Sequence, residues 1–289
     1  MANIKEEKVN RKKGAKVIFI IAFIVFAFYS LTIVFSMLWV FIQSLKTNLE
    51  FWDDMISLPQ KWLFSNYTEA FRRLEHNDIR LFGMFFNSFW YALGGAVISV
   101  FMHAVTGFIF AKYKFRGREA AFSFILFTIT IPIVGSLPSL YKVIYTMKIN
   151  DSPLFLITAL GGFTGNFLIM YAFFKGMDWT YAEAAQIDGA GHYFIFFKIM
   201  LPLAAGPMFA LGILTFIGNW NNYETPILFL DKMPTLSSGL YRFSLIAVYR
   251  SAQTVYFAGL LLSILPVLVL VILFGDKISK NLAIGGIKG

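Results

Sequence analysis

VIFIIAFIVFAFYSLTIVFSMLWVFIQSL, residues 17–45, fills the interval between Lys16 and Lys46 without a single charged side chain. A helix needs about 20 apolar residues to cross the hydrocarbon of a bilayer, where every backbone polar group has to be satisfied within the segment. Five further intervals meet the same test: Arg80 to Lys112, Glu119 to Lys142, Asp151 to Lys175, Lys198 to Glu224 and Arg250 to Asp276. The chain has 289 residues, 58% hydrophobic and 18% aromatic, a surplus too large for one soluble core. The fold class this predicts is an all-α membrane protein with six transmembrane helices.

The net charge of +9 is spread over short loops rather than gathered on one basic face, which argues for membrane topology and against nucleic acid. With the N-terminus in the cytoplasm, 15 of the 25 Lys and Arg residues fall on the inner side, including Lys5 to Lys16, Lys112 to Arg118, Lys175, Lys198 and Lys277 to Lys288. The boundaries expected are a cytoplasmic segment 1–16, a six-helix domain 17–275, and a cytoplasmic tail 276–289. Within the domain lie an extracytoplasmic segment at about 46–84 and a cytoplasmic loop at about 175–207. The first span is too long for a signal-peptide core and lacks an A-x-A cleavage pattern, so it reads as a permanent anchor in the cell membrane. Cysteine is absent, and the histidines at 76, 103 and 192 are scattered, so neither a disulfide nor a metal cluster is expected.

Along the chain, Trp62, Phe64, Tyr67 and Phe71 suggest an interfacial aromatic helix against the outer leaflet. Gly94, Gly95, Ala96 and Ser99 are small residues that let helices approach closely. Pro132 and Pro138 are expected to bend the third span, either to line a pathway or as tolerated structural breaks. The loop after the fourth span is too long to be a mere connection. Its TYAEAAQIDGAGHYFIFFKIMLP, 180–202, has Thr180 and Glu183 in capping-box spacing, Gly189 as a left-handed helix stop, Gly191 as a flexible point and Pro202 as a break. Such a short surface helix is either held in a partner's groove or is a loop helix whose glutamate caps its own start.

The order of residues in that loop resembles a known signature. Glu183, Ala184 and Ala185, then Asp188, Gly189 and Ala190, then Leu201 and Pro202, are similar to the EAA motif of permease subunits of binding-protein-dependent ABC importers. Phe115 to Arg118 resembles the family's F-x-G-R, Asn87-Ser88 its NS pair and Trp220-Asn221 its WN pair. The ending Gly285 to Gly289 looks like the tail of the six-helix carbohydrate branch, which includes the smaller maltose permease. The resemblance implies that the loop is a coupling helix docked on a cytoplasmic ATPase and that the tail, with Gly285, Gly286 and Lys288, reaches toward the same dimer. It also implies a second homologous permease, two ATPase subunits that hold ATP and Mg, an extracytoplasmic binding protein, and a sugar or oligosaccharide as cargo. No cofactor and no chemistry are expected of this chain, and no G-x-x-x-x-G-K-[ST] sequence occurs in it.

The run NWNNYETPILFL, 219–230, departs from the family's usual apolar continuation. Asn219, Asn222 and Tyr223 fall at helical offsets, Trp220 offers a flat ring of the kind sugars stack on, and Glu224 either faces a pathway or sits at the outer interface. These five residues are the expected substrate-pathway stripe. A different class, a self-sufficient secondary transporter, would need ionisable residues in the membrane, for which His103 and Glu224 are the candidates.

Overall fold

A computed structural model describes the backbone of residues 2–131, 135, 137–161, 163–249 and 251–284, and within these the side chains of 16–278. Pro132 and the tail 285–289 lie outside the described residues. The chain divides into two compact units: 1–70 with 247–261, and 71–246 with 262–289.

In the first unit, α1 (Ala2–Ser44) is apolar on every side over its candidate span Lys16–Ser44, whose most apolar 18-residue stretch has a mean hydropathy of 2.8 and no residue buried within the chain. A helix without a polar face has no soluble packing solution and belongs in hydrocarbon or against another apolar helix. Its C-terminal end is different. Gln43, Ser44, Leu45 and Lys46 are buried, and the Lys46 ammonium donates to Asp54 O (2.7 Å) and Ser57 Oγ (3.3 Å). A buried cation without such acceptors would cost several kcal/mol. α2 (Asn48–Asp53) starts on the Thr47 hydroxyl, which accepts from Glu50 N, and buries Phe51 between Trp39 and Phe257. α3 (Ser65–Arg73) follows, with the Asn66 amide donating to Ser44 O and Lys46 O at 2.8 Å each. The expected aromatic helix from Trp62 to Phe71 is therefore corrected: the helix starts at Ser65, and Tyr67 turns inward to Ser44 Oγ at 2.9 Å.

The second unit opens with a two-stranded hairpin, β1 (Glu75–His76) and β2 (Ile79–Arg80), which feeds α4 (Leu81–Lys112). α4 is the central helix of this unit. Gly94 lies against Leu156, Gly95 against Asn219, and Gly107 so close to α7 (Gly165–Gly176) that a Cβ there would stand 2.9 Å from Tyr171 N. The small residues do permit close approach, as their pattern suggests. Around Phe108, a core of Met170, Phe174, Ala182, Ile195, Phe196 and Met200 joins α4 and α7 to the loop beyond.

The third uncharged run is divided between α5 (Arg118–Thr130) and α6 (Leu137–Thr146), each shorter than a span. Pro138 stands in the first turn of α6, where a missing N–H costs nothing, so it begins a helix rather than bending one. The fourth run is a 3-10 segment, Pro153–Leu160, followed by α7 at 55° to it. Next come α8 (Thr180–Ile187), α9 (His192–Phe194), a π-helical stretch Ile195–Met200, and α10 (Leu201–Leu203). The continuous piece His192–Leu203 meets α11 (Ala205–Asn221) at 71°. α12 (Glu224–Phe229), α13 (Leu236–Ala247) and α14 (Gln253–Ile284) complete the chain. Among the described residues three helices, at Lys16–Ser44, Leu81–Lys112 and Gln253–Ile278, are long and apolar enough to cross a membrane, and five spans result if each bent pair is one.

Candidate functional site

Two places bear on the residues singled out by the sequence: the loop after α7, and a polar cavity between α4, the 3-10 segment Pro153–Leu160 and α11. In the loop, α7 ends at Gly176 and the Lys112 ammonium at the end of α4 donates to Met177 O at 2.5 Å. Asp178 Oδ1 then accepts from Thr180 N (3.0 Å) and Thr180 Oγ1 (2.6 Å). The Thr180 hydroxyl, and then its N–H, hold the Asp178 carboxyl below the ordinary carboxylate value. The capping box is thus corrected. The hydroxyl of Thr180 is spent as a donor to Asp178, Trp179 occupies the cap position without a side-chain bond, and Glu183 is left exposed in the first turn, where the helix dipole favours it.

The other end of α8 follows the expectation closely. Gly189 has φ +80°, its N–H bonds Gln186 O (3.0 Å), and Ala190 N–H bonds Ala185 O (2.9 Å). This is the paired Schellman closure that a left-handed glycine permits. Ala182 is fully buried beside Phe108 and Phe174, while Ala184 and Asp188 are exposed and Ala185 and Ala190 pack at the margin of the core. The outward face carries apolar side chains with no partner in this unit's core: Tyr181, Ile187 and Tyr193 are exposed at 61%, 87% and 84%. Beyond Gly191, the break expected at Pro202 comes at Ala204. The π-helical spacing, in which Leu201 N–H reaches Phe196 O, lets the helix run through Pro202 before it bends. Pro202 is exposed and Leu201 partly buried. The loop is therefore a short, stiffly closed helix fastened to the same aromatic core as α4 and α7.

The cavity, about 190 Å³, is lined by Tyr91, Ser99, His103, Thr158, Thr164, Thr215, Asn219 and Thr225 among apolar neighbours. Buried His103 bonds a hydroxyl at each ring nitrogen, Ser99 Oγ at 3.3 Å from Nδ1 and Thr164 Oγ1 at 3.1 Å from Nε2. Asn166 Nδ2 donates to Thr215 Oγ1 at 3.2 Å, and Asn219 Nδ2 contacts Ala92 O at 3.4 Å. The lining offers hydroxyl, amide and imidazole groups beside the rings of Tyr91 and Phe155, with no carboxylate or Lys/Arg cation among the lining residues. That chemistry suits an uncharged polyol better than an ion.

Of the expected pathway stripe, Asn219 alone lies in this cavity. α11 ends at Asn221, so Asn222 leaves the helix (φ −71°, ψ 116°) and caps Thr225, its Oδ1 accepting from Thr225 N at 3.0 Å. Tyr223 stacks on Tyr241 with ring centroids 4.5 Å apart. Trp220 lies outside the cavity. It is 3% exposed, its indole N–H donates to Ser263 O (3.0 Å), and Phe216 and Phe85 cover its ring, so no face is free for a sugar. Glu224 is exposed at the start of α12 and does not line the cavity. His103 and Glu224, the two candidates for ion coupling, do not share a site: His103 lines the cavity and Glu224 does not. The sequence carries a signal for the hydroxyl lining: Ser99 with His103 and Thr215 with Asn219 stand four residues apart and so share helix faces.

α12, whose Thr225 reaches the cavity, is pinned at its other end. Arg242 donates to Ile227 O (3.4 Å), Tyr145 to Leu228 O (3.3 Å) and Asp151 N to Phe229 O (2.8 Å). Asp231 gathers Arg242 (2.8 Å), His76 (3.1 Å) and Asn77 (2.9 Å). Its partial burial would raise the carboxyl, but His76, Asn77 and the Arg242 charge outweigh that and hold it below its ordinary value.

A family model described as "Binding-protein-dependent transport system inner membrane component" matches residues 103–282. The chain is 28% identical to the diacetylchitobiose uptake system permease protein NgcG of Streptomyces coelicolor, over 89% of this chain and 85% of that protein. It is 30% identical to the arabinooligosaccharides transport system permease protein AraQ of Halalkalibacterium halodurans, over 91% and 94%. Its fold is similar to that of a chain in the crystal structure of a bacterial ABC transporter involved in the import of the acidic polysaccharide alginate, with a TM-score of 0.75 at 20% identity over 90% of this chain and 96% of that one. A family match over more than half of the sequence, on a helical fold shared with a solved transporter, leaves one conclusion: the chain belongs to the inner-membrane components of binding-protein-dependent transport systems.

Proposed function

We propose that the chain is one of two permease subunits of an ABC importer for an uncharged sugar or oligosaccharide, with six spans, both termini in the cytoplasm, and α8 as the coupling helix. It works with a homologous permease, ATPase subunits that hold ATP and Mg, and an extracytoplasmic binding protein, and performs no chemistry itself. The observation that carries this reading is the build of α8: closed by Gly189, keyed into the α4–α7 core through Ala182, and presenting Tyr181 and Ile187 outward, with Tyr193 of α9 exposed after it. A partner that grips those side chains moves the core, because the helix has no slack with which to absorb the push. Exposed Glu183 adds a charge for a cation on the partner. Gly285, Gly286 and Lys288 remain a proposed second contact with the ATPase dimer. Sugar transport is supported by the relatives' names and by the cavity's lining.

Glu183→Gln keeps the helix and loses the charge. Sugar-stimulated ATP hydrolysis by the assembled complex is expected to fall with subunit yield unchanged, and wild-type stimulation would show that the charge is dispensable. In the cavity, Thr215→Val and Asn219→Ala each delete a neutral hydrogen-bonding group, worth about 0.5–1.5 kcal/mol or roughly 2- to 10-fold. Uptake assays across a panel of sugars are expected to show that loss as a changed preference. A drop in subunit yield with unaltered preference would assign these residues to packing instead.

A further inference from the structure

The segment between α1 and α3 bonds many of its polar groups to itself while it turns much of its hydrocarbon outward. Besides the buried Lys46 ammonium, Asp54 Oδ1, itself at the surface, accepts from Ile56 N (2.8 Å) and Ser57 N (3.1 Å), and Glu50 Oε1 accepts from Gln60 N (2.5 Å). Trp39 Nε1 and Gln43 Nε2 both donate to Met55 O, at 2.8 and 3.0 Å, and Leu63 N reaches Leu45 O at 2.8 Å. Its apolar side chains point outward: Leu49, Trp52, Ile56, Leu58, Trp62 and Phe64 are exposed, from 49% for Trp52 to 88% for Ile56. A short polar turn that satisfies its backbone internally and turns its hydrocarbon out is built for surroundings poor in water.

We infer that residues 48–64 form a platform embedded in the outer lipid leaflet, at the boundary between headgroups and acyl chains. Three observations select lipid as the occupant. The platform continues directly from the outer end of α1, whose most apolar 18-residue stretch has no residue buried within the chain. Two tryptophans, the residue type enriched at that boundary, are among its outward groups. Asp53 and Lys61 are exposed beside them, charges that the headgroup layer accommodates and a dry protein interface does not. Asp54 fixes the turn, its carboxyl held below the ordinary value chiefly by the N–H groups of Ile56 and Ser57. The platform sets the depth of α1. The choice of leaflet rests on the orientation proposed above, but the contact with lipid does not.

The chain's lack of cysteine permits a direct test. Bimane is attached to Ile56→Cys, Trp62→Cys and, as a water-facing control, Thr68→Cys in the assembled complex, with partner cysteines replaced, in nanodiscs of phosphatidylethanolamine and phosphatidylglycerol. Lipids brominated near the headgroup are expected to quench positions 56 and 62 severalfold more than position 68, and aqueous iodide the reverse. Iodide quenching of all three alike would overturn the inference. So would quenching by neither agent, which means the partner permease covers the platform, and so would iodide protection that comes only with the sugar-loaded binding protein. A lipid-borne diazirine applied to the unmodified complex checks the result without substitution: adducts within 48–64 are expected, and their absence counts against lipid contact. An impermeant maleimide that reaches Thr68→Cys only from the cytoplasmic side would overturn the orientation while leaving the lipid contact in place.

Discussion

Gly189→Val is expected to uncouple the transporter while leaving it assembled. Valine at φ +80° suffers the clash between Cβ and the following carbonyl, about 1–2 kcal/mol for an ordinary residue and more for a β-branched one. The cheapest escape is to open the Schellman closure, which releases Gly189 N–H from Gln186 O and Ala190 N–H from Ala185 O and frays the end of α8. Nothing stands within 4 Å of the added Cβ, so packing is undisturbed and the effect is confined to backbone conformation. Sugar-stimulated ATP hydrolysis in the purified complex should drop by roughly 5- to 30-fold, the ratio that 1–2 kcal/mol represents. Gly189→Asn, which tolerates the left-handed region, should keep most of it. Equal stimulation in the valine variant and the wild type would show that transmission does not depend on a stiff α8.

Gly107→Leu is expected to abolish assembly. The obstacle at position 107 is main chain: a Cβ would stand 2.9 Å from Tyr171 N and 3.0 Å from Met170 C, so α4 and α7 have to separate. Overpacking a well-filled core costs about 1–3 kcal/mol even where side chains can adjust, and here the facing atoms are backbone. The separation would also part Phe108 from Phe174, the aromatic contact that holds the α8 loop. Two comparisons calibrate the claim. At Gly239 the obstacle is the thioether of Met84, which can swing away, so Gly239→Ala should be far milder. At Gly95 it is the Asn219 amide, so Gly95→Ala should assemble but behave like Asn219→Ala in the sugar panel. Yield of intact complex by size-exclusion chromatography orders the three, and normal yield for the leucine variant would refute the close α4–α7 crossing.

Much of this was legible in the sequence because it rests on local chemistry. The uncharged run at 17–45 is α1, those after Arg80 and Arg250 fall on α4 and α14, and Gly189 closes α8 with the positive φ that its place after an alanine-rich helix suggested. What depends on neighbours distant in sequence was not. Trp220 carries the surface a sugar would stack on, but only the fold reveals that Phe85 and Phe216 already use it. Thr180 and Glu183 have capping-box spacing, yet Asp178, two residues upstream, takes the Thr180 hydroxyl first. Asn222 continues the helical period on paper and leaves the helix in fact, because Asn222 and Thr225 bond to each other across the start of α12. Gly107 looks no different from Gly94 or Gly95 in the sequence, and only the α7 backbone lying against it distinguishes its role.

The most direct measurement is ATP hydrolysis and sugar uptake in proteoliposomes that contain this chain alone or together with its partner permease, ATPase and binding protein. The expected result is that the chain alone neither hydrolyses ATP nor accumulates sugar under any ion gradient, and that the full assembly does both only when the binding protein carries its sugar. Gradient-driven accumulation by the chain alone would contradict the assignment and identify a self-sufficient carrier.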